Sequence, residues 1–93
     1  MTQAQEKITA GNVDTAISAI IMSHDTSTAQ GCEDCALHLW ALSQGIDTGD
    51  QSQEVEVSSP AREKLYEKAC ILFISAMSKR TQERLAVVAE RGR

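Results

Sequence analysis

The sequence predicts an all-α fold, a single small domain built as a helical bundle of four or five short helices. Three observations predict it. Apolar residues recur at spacings of three and four in several segments, the period of a helix with one buried face. Capping residues, glycine and proline separate these segments. The 93 residues leave room for one domain, 1–93, and with three aromatic residues its core must consist mainly of Ala, Leu, Ile and Val.

The N-terminal part of the chain predicts two helices. A short, weak helix is expected over 2–10, where Thr2 and Gln5 have the spacing of a capping box. A second helix begins after Asn12, a favourable N-cap residue, and ends near 23–25. Its apolar stripe is clear and consists of Val13, Ala16, Ile17, Ile20, Ile21 and His24.

A third helix is predicted after Ser27, which forms a capping-box pair with Gln30. Gly45 stands where a left-handed residue ends a helix. The apolar stripe between them consists of Cys32, Cys35, Ala36, Leu39, Trp40 and Leu42.

Residues 47–58 predict a flexible acidic loop between two helical halves, because they offer little apolar surface to bury. The segment 54–57 alternates between Glu and Val, as a short strand does. A single strand with no evident partner in the chain is not expected to form, so the whole stretch is assigned to the loop.

The C-terminal part predicts a helix that begins at Ser59 and Pro60, a capping hydroxyl followed by proline at the first helical position. This helix extends to about Met77. Residues 78–81 leave two possibilities open: Thr81 caps a fifth helix, or one helix continues to Glu90.

The segment 69–77 is apolar around almost its whole circumference. Ile71 and Ile74 lie off the stripe that faces the core, although a helix needs only one apolar stripe to pack in a small domain. Either other helices of the chain cover this second face, or another chain does. A small Ala-rich core gains from further burial, so we expect a homodimer.

The net charge is −4 and is unevenly distributed. Residues 1–58 carry one lysine against nine carboxylates, a charge of −8, and residues 59–93 carry +4. Two solvated faces explain this uneven distribution better than attraction between the two parts.

The chain begins without a secretory signal and has no apolar run of membrane-spanning length, so we expect a cytoplasmic protein with reduced thiols and no membrane contact.

Cys32 and Cys35 form the one motif of chemical character, a lone CxxC. Zinc binding would need two further ligands, and redox chemistry is opposed by the two acidic residues between the thiols. Core packing is the favoured interpretation, and a zinc-stabilised domain is an alternative.

The dipeptide His24–Asp25 lacks the further ligands of a metal-dependent phosphohydrolase, and His38 is expected to be solvated. Without a nucleophile–base pair or phosphate loop, neither catalysis nor a cofactor is predicted.

Binding of DNA through 79–93 is the second alternative. A break near residue 78 would create a helix-turn-helix in which Lys79, Arg80 and Arg84 contact the nucleic acid. The acidic balance of the domain and the presence of Glu83 and Glu90 disfavour it.

The leading hypothesis is a non-catalytic protein–protein interaction module that occupies a surface of a larger protein partner. The expected contact residues are of two kinds. Leu37, Ile71 and Ile74 are apolar side chains on helix faces expected to be solvent-exposed, and Glu54 and Glu56 are acidic residues of the loop. By analogy of size and charge alone, such a protein resembles the small phage or mobile-element inhibitors that modulate host complexes.

Overall fold

The computed structural model describes residues 7–49 and 53–92. These residues form α1 (Val13–Met22), α2 (Ala29–Ser43), β1 (Ile46–Asp47), β2 (Gln53–Glu54) and α3 (Ser59–Arg91). The protein is therefore mostly helical, as predicted. The sequence predicts four or five helices, whereas the described residues contain three, because α3 is continuous and residues 7–10 are not helical.

The segment before α1 pairs with the segment before α3. The backbone amide of Ile8 donates to Glu56 O at 2.9 Å, and the amide of Ser58 donates to Ile8 O at 2.9 Å. Ile8 and Val57 thus form an isolated parallel bridge. The predicted helix over 2–10 is wrong for 7–10, and its remaining residues lie outside the described part of the chain.

The start of α1 agrees with the prediction, but Asn12 acts differently from an ordinary cap. Its side-chain oxygen accepts from the Thr9 amide at 2.8 Å, and its side-chain nitrogen donates to Lys7 O at 2.9 Å. Asn12 therefore ties the incoming segment to the helix instead of capping an amide of α1.

Helix α2 begins one residue later than the capping box predicts. Thr28 is the N-cap, and its hydroxyl accepts from the amide of Gly31 at 3.0 Å. Ser27 instead bonds to Asp25 within the preceding turn. At the other end Gly45 has φ = 87°, which confirms the predicted left-handed residue.

The loop prediction missed a small antiparallel sheet. Strand β1 pairs with β2 in the register Ile46↔Glu54 and Asp47↔Gln53, and the amide of Val55 donates to Gly45 O at 2.8 Å. The acidic strand does have partners in the chain, namely the residues that follow α2 and, for Val57, Ile8. The sequence pattern gives no sign of them, because β1 is only two residues long.

Helix α3 continues through 78–81 without a break. The stretch contains neither glycine nor proline, and Thr81 donates its hydroxyl to Met77 O at 3.0 Å, a bond within the same helix, instead of capping a new one. Of the two possibilities the sequence leaves open, the single long helix is the observed one.

The core lies mainly between α2 and α3, which run antiparallel. Gly45 and Val55 bring the end of α2 to the start of α3, while Glu33 contacts Arg80 at the other end. Helix α1 packs against both and is tied to α3 by an ion pair of 3.5 Å between Asp14 and Lys64. The buried apolar residues of the two long helices are Cys32, Cys35, Ala36, Leu39, Leu42, Ala61, Leu65, Ala69, Leu72 and Ala76.

Helix α3 is far longer than the bundle against which it packs. Its 33 residues span about 50 Å, whereas the 15 residues of α2 span about 22 Å. Every residue of 81–92 is exposed. We call the part of the chain beyond Glu83, residues 84–92, the overhang. Across residues 7–49 and 53–92, no helix combines the length and apolar character required to span a membrane.

Candidate interaction surface

Helix α3 has two apolar faces. One packs in the core and consists of Ala61, Leu65, Ala69, Leu72 and Ala76. At 3.6 residues per turn, Ile74 lies about 180° away from the centre of this face. Ile74 is 62% exposed, and Ile71 is 54% exposed at the edge of a shallow cleft that it lines with Ile17 and Ile21 of α1. Among the described residues α1 flanks this face at Ile71, and no helix packs over Ile74, so most of the face stays exposed.

The exposed face extends well beyond the two isoleucines. Leu85 is 61% exposed and Val88 is 64% exposed, and both continue the same side of the helix. Ser78 and Thr81 lie between the two isoleucines and Leu85 on the same side of the helix. Together these six residues form a row with spacings of 3, 4, 3, 4 and 3, the heptad spacing of a coiled-coil seam. We call this row the outer stripe. It consists of Ile71, Ile74, Ser78, Thr81, Leu85 and Val88.

The sequence prediction found only the first third of this stripe. It recognised Ile71 and Ile74 because they lie in the strongly apolar segment 69–77. Leu85 and Val88 also form an apolar stripe in the sequence, but they were not connected with the isoleucines, because a possible break near residue 78 would have changed the helical phase. The heptad spacing continues through 78–81, and this pattern in the sequence could have linked Leu85 and Val88 to the two isoleucines.

Two contacts hold α3 to the bundle just before the overhang. Arg80 Nη2 lies 2.8 Å from Glu33 Oε2 on α2. This hydrogen bond and the adjacent carboxylate charge raise the pKa of the Arg80 guanidinium above its ordinary value. One turn further on, Glu83 Oε2 accepts a hydrogen bond of 3.2 Å from the backbone amide of Ala29. The overhang begins where these contacts end.

The other residues predicted for the interface lie elsewhere. Leu37 is exposed on α2 and borders a cleft with His24 and His38. Glu54 and Glu56 border another cleft, next to Arg62 at the start of α3, and Glu56 Oε1 lies 3.8 Å from Lys7 Nζ. Since α2 packs on the core face of α3, the fold does not bring these three residues to the outer stripe.

The geometry that the DNA-binding alternative needs is absent. The helix-turn-helix requires a break that the continuous helix α3 does not have. Arg80 and Arg84 line one shallow cleft, but Glu83, Val87 and Val88 line it with them and Arg80 is paired with Glu33, so this surface is not purely basic.

Cys32 and Cys35 are buried in the core. The Cys32 thiol donates to Thr26 O at 3.1 Å. Burial, with a smaller effect of neighbouring Cys32, raises the pKa of the Cys35 thiol, so this group is kept as a neutral thiol and not as a nucleophile. Within 7–49 and 53–92, no three His, Cys, Asp or Glu side chains are grouped so that they could hold a metal ion.

The two histidines form a hydrogen-bonded row, which corrects the expectation that His38 is solvated. The His38 side chain is 13% exposed. Its Nε2 lies 3.1 Å from Asp47 Oδ1, and its Nδ1 lies 3.1 Å from His24 Nε2. Because a carboxylate only accepts, His38 Nε2 is the donor to Asp47, and in the neutral ring Nδ1 accepts the proton of His24 Nε2.

This histidine row is structural in character. It links the end of α1, the middle of α2 and β1 along one side of a cleft of about 580 Å³. The same Asp47 oxygen also accepts from the amide of Gly49 at 3.0 Å. Both nitrogens of His38 are occupied by these partners, so the ring positions the loop after β1 and has no free nitrogen for a substrate.

No family model, curated protein or solved structure matches this chain.

Proposed function

We propose that this protein is a non-catalytic protein–protein interaction module that associates with a second copy of itself through the outer stripe of α3. The observation that carries the proposal is the continuous exposed heptad row from Ile71 to Val88. It is about 27 Å long, the reach of 18 helical residues. Surface residues that are apolar singly are ordinary, but a row in helical register is a typical helix-docking surface.

A second copy fits this surface because the stripe is self-complementary. A two-fold symmetric interface requires that the same patch serve both partners. The stripe supplies aliphatic side chains at the seam positions and carries no charge on them, so two copies can bring their stripes together without burying an ionised group. With six seam residues the contact is short, and we expect a dissociation constant in the micromolar range.

The remaining predicted contact residues suggest a role for the opposite side of the domain. Leu37 lies on α2, and Glu54 and Glu56 lie near the small sheet, away from the outer stripe. In a dimer formed through α3 these residues stay exposed. They are then available to a larger protein partner, and the dimer presents them twice.

The proposal is tested by placing a charge on the seam. Ile74→Glu puts a carboxylate at the centre of the proposed contact, and Met22→Glu introduces the same change at an 86% exposed methionine at the end of α1. Light scattering on a dilution series should give a dimer for the natural sequence and for Met22→Glu. Ile74→Glu should weaken association by at least about tenfold.

Circular dichroism separates loss of association from loss of fold. Ile74 makes little contact within its own chain, so Ile74→Glu should keep its helical signal. A natural sequence that is monomeric at all concentrations, or an Ile74→Glu variant that dimerises as well as Met22→Glu, would refute the proposal.

A further inference from the structure

We infer that the two copies of α3 pair antiparallel, so that each overhang lies on the half of the partner's outer stripe that is backed by the partner's bundle. This inference rests on the self-association proposed above. It adds the direction of the helices, the residues that face one another, and a function for the overhang.

The outer stripe has the same spacing when followed from either end, and its chemistry is also symmetric. Two aliphatic residues stand at each end, and Ser78 and Thr81 stand in the middle. Antiparallel pairing about this midpoint places Ile71 against the partner's Val88 and Ile74 against the partner's Leu85. Ser78 then faces the partner's Thr81, so aliphatic residues meet aliphatic residues and hydroxyls meet hydroxyls. Parallel pairing in register would match them as well, so the direction is decided by the ends of the stripe.

Charge at the two ends favours the antiparallel direction. Glu67 occupies the next seam position before Ile71 and is exposed. Parallel pairing would place Glu67 against the partner's Glu67, two like charges at one layer. Antiparallel pairing places it beside the last turn of the partner's helix, where the partner's Arg91 supplies an opposite charge.

The residues beside the outer stripe also favour antiparallel pairing. Met77 is 62% exposed beside the seam, and Arg84 occupies the equivalent flank one heptad later. Antiparallel pairing brings Met77 next to the partner's Arg84, whose aliphatic stem covers the methionine while its guanidinium stays in water.

The overhang supplies the third argument. Each of its residues is exposed, so packing within its own chain adds little to the stability of this part of α3. In a parallel pair the two overhangs would support only each other. In an antiparallel pair each overhang rests on a stretch of helix whose opposite face, at Leu72 and Ala76, is already packed in a core. In the antiparallel pair each overhang thus holds its own protomer to the α3 helix of the partner.

Cross-linking of one introduced cysteine per chain distinguishes the two directions, because the remaining Cys32 and Cys35 are buried. In a Cys70→Ser background, Ile71→Cys and Val88→Cys are prepared separately and treated with a short bis-maleimide, alone and as an equimolar mixture. In an antiparallel pair the two Ile71 positions are about 25 Å apart, whereas Ile71 and the partner's Val88 are adjacent. We expect a covalent dimer in the mixture and none in either variant alone.

The outcomes separate this inference from the proposed function. Covalent dimers from each variant alone would show parallel pairing and overturn the inference while leaving the self-association standing. A dimer by light scattering without any cross-link would show that the outer stripe is not the contact, which contradicts both. A monomer in every sample would refute the self-association itself.

A charge exchange supplies an independent readout. Glu67→Arg and Arg91→Glu should each weaken the dimer, and the variant that carries both substitutions should recover most of the loss. Absence of recovery in the double variant would contradict the predicted contact between Glu67 and the partner's Arg91.

Discussion

The side chain of Glu83 accepts a hydrogen bond of 3.2 Å from the backbone amide of Ala29, the first residue of α2. The two residues are 54 positions apart in the chain. Helix α2 is thus capped by a carboxylate from α3 in addition to the hydroxyl of its own Thr28. The negative charge also lies at the positive end of the α2 dipole. This contact marks the last point at which α3 touches its own bundle before the overhang begins.

The Glu83 cap can be tested by a pair of substitutions. Glu83→Ala removes the acceptor from a part-buried amide and should lower the free energy of unfolding by about 1 kcal/mol. Glu83→Gln keeps an oxygen acceptor and should retain most of the stability. Urea unfolding of the two variants measures the difference. Equal stability of the two variants would mean that the hydrogen bond contributes nothing.

Gly31 should tolerate no side chain. A Cβ at this position in the first turn of α2 would overlap the carbonyl oxygen of Asp25, a backbone atom that cannot move aside easily. We expect Gly31→Ala to destabilise the protein by about 1–3 kcal/mol, the usual range for overpacking, although alanine favours helix more than glycine does. Gly11→Ala is the control, because its Cβ would meet only Thr9 Oγ1 at 3.7 Å. A Gly31→Ala variant more stable than the natural sequence by thermal unfolding would contradict the packing described.

Cys35 predicts a loss of stability at alkaline pH. Burial raises the pKa of its thiol above the ordinary value of 9.0, so the unfolded chain releases this proton before the folded chain does. The contribution of Cys35 to stability is therefore complete below about pH 9 and is lost as the pH rises through the raised pKa. Removing the thiol removes this dependence.

The comparison of Cys35→Ala with the natural sequence gives the measurement. The stability difference between the two, obtained from urea unfolding, should be constant below about pH 9 and should shrink as the pH rises above it. Cys70→Ala, a deletion at a partly buried thiol on the other side of α3, serves as the matched control. A stability difference for Cys35→Ala that stays constant above about pH 9 would contradict the predicted titration.

Local patterns in the sequence predicted most of the helical structure. Gly45 was placed correctly as the left-handed residue after α2, and Asn12 stands before α1 as predicted, although its side chain bonds to Thr9 and Lys7 instead of capping the helix. The burial of Cys32 and Cys35 followed from their position on the stripe of α2. The phase of Ile71 and Ile74 placed them off the core face, but the sequence left open whether helices of the same chain cover them, and cover by a partner stays a prediction.

The features that the sequence did not predict depend on contacts between distant residues. His38 is mostly buried because Asp47 and His24 approach it from other elements. Residues 53–57 pair because β1 and Ile8 lie beside them, which no pattern within the segment indicates. The single helix through 78–81 was only one of two possibilities, because Thr81 serves equally well as a cap or as an internal residue whose hydroxyl bonds to the preceding turn.

Sedimentation equilibrium of the unaltered chain, from low micromolar to submillimolar concentration, measures self-association without any substitution. We expect a reversible monomer–dimer equilibrium, with a mass that approaches twice the 10.1 kDa of the chain as concentration rises. A mass that stays at 10.1 kDa across the whole range would contradict it.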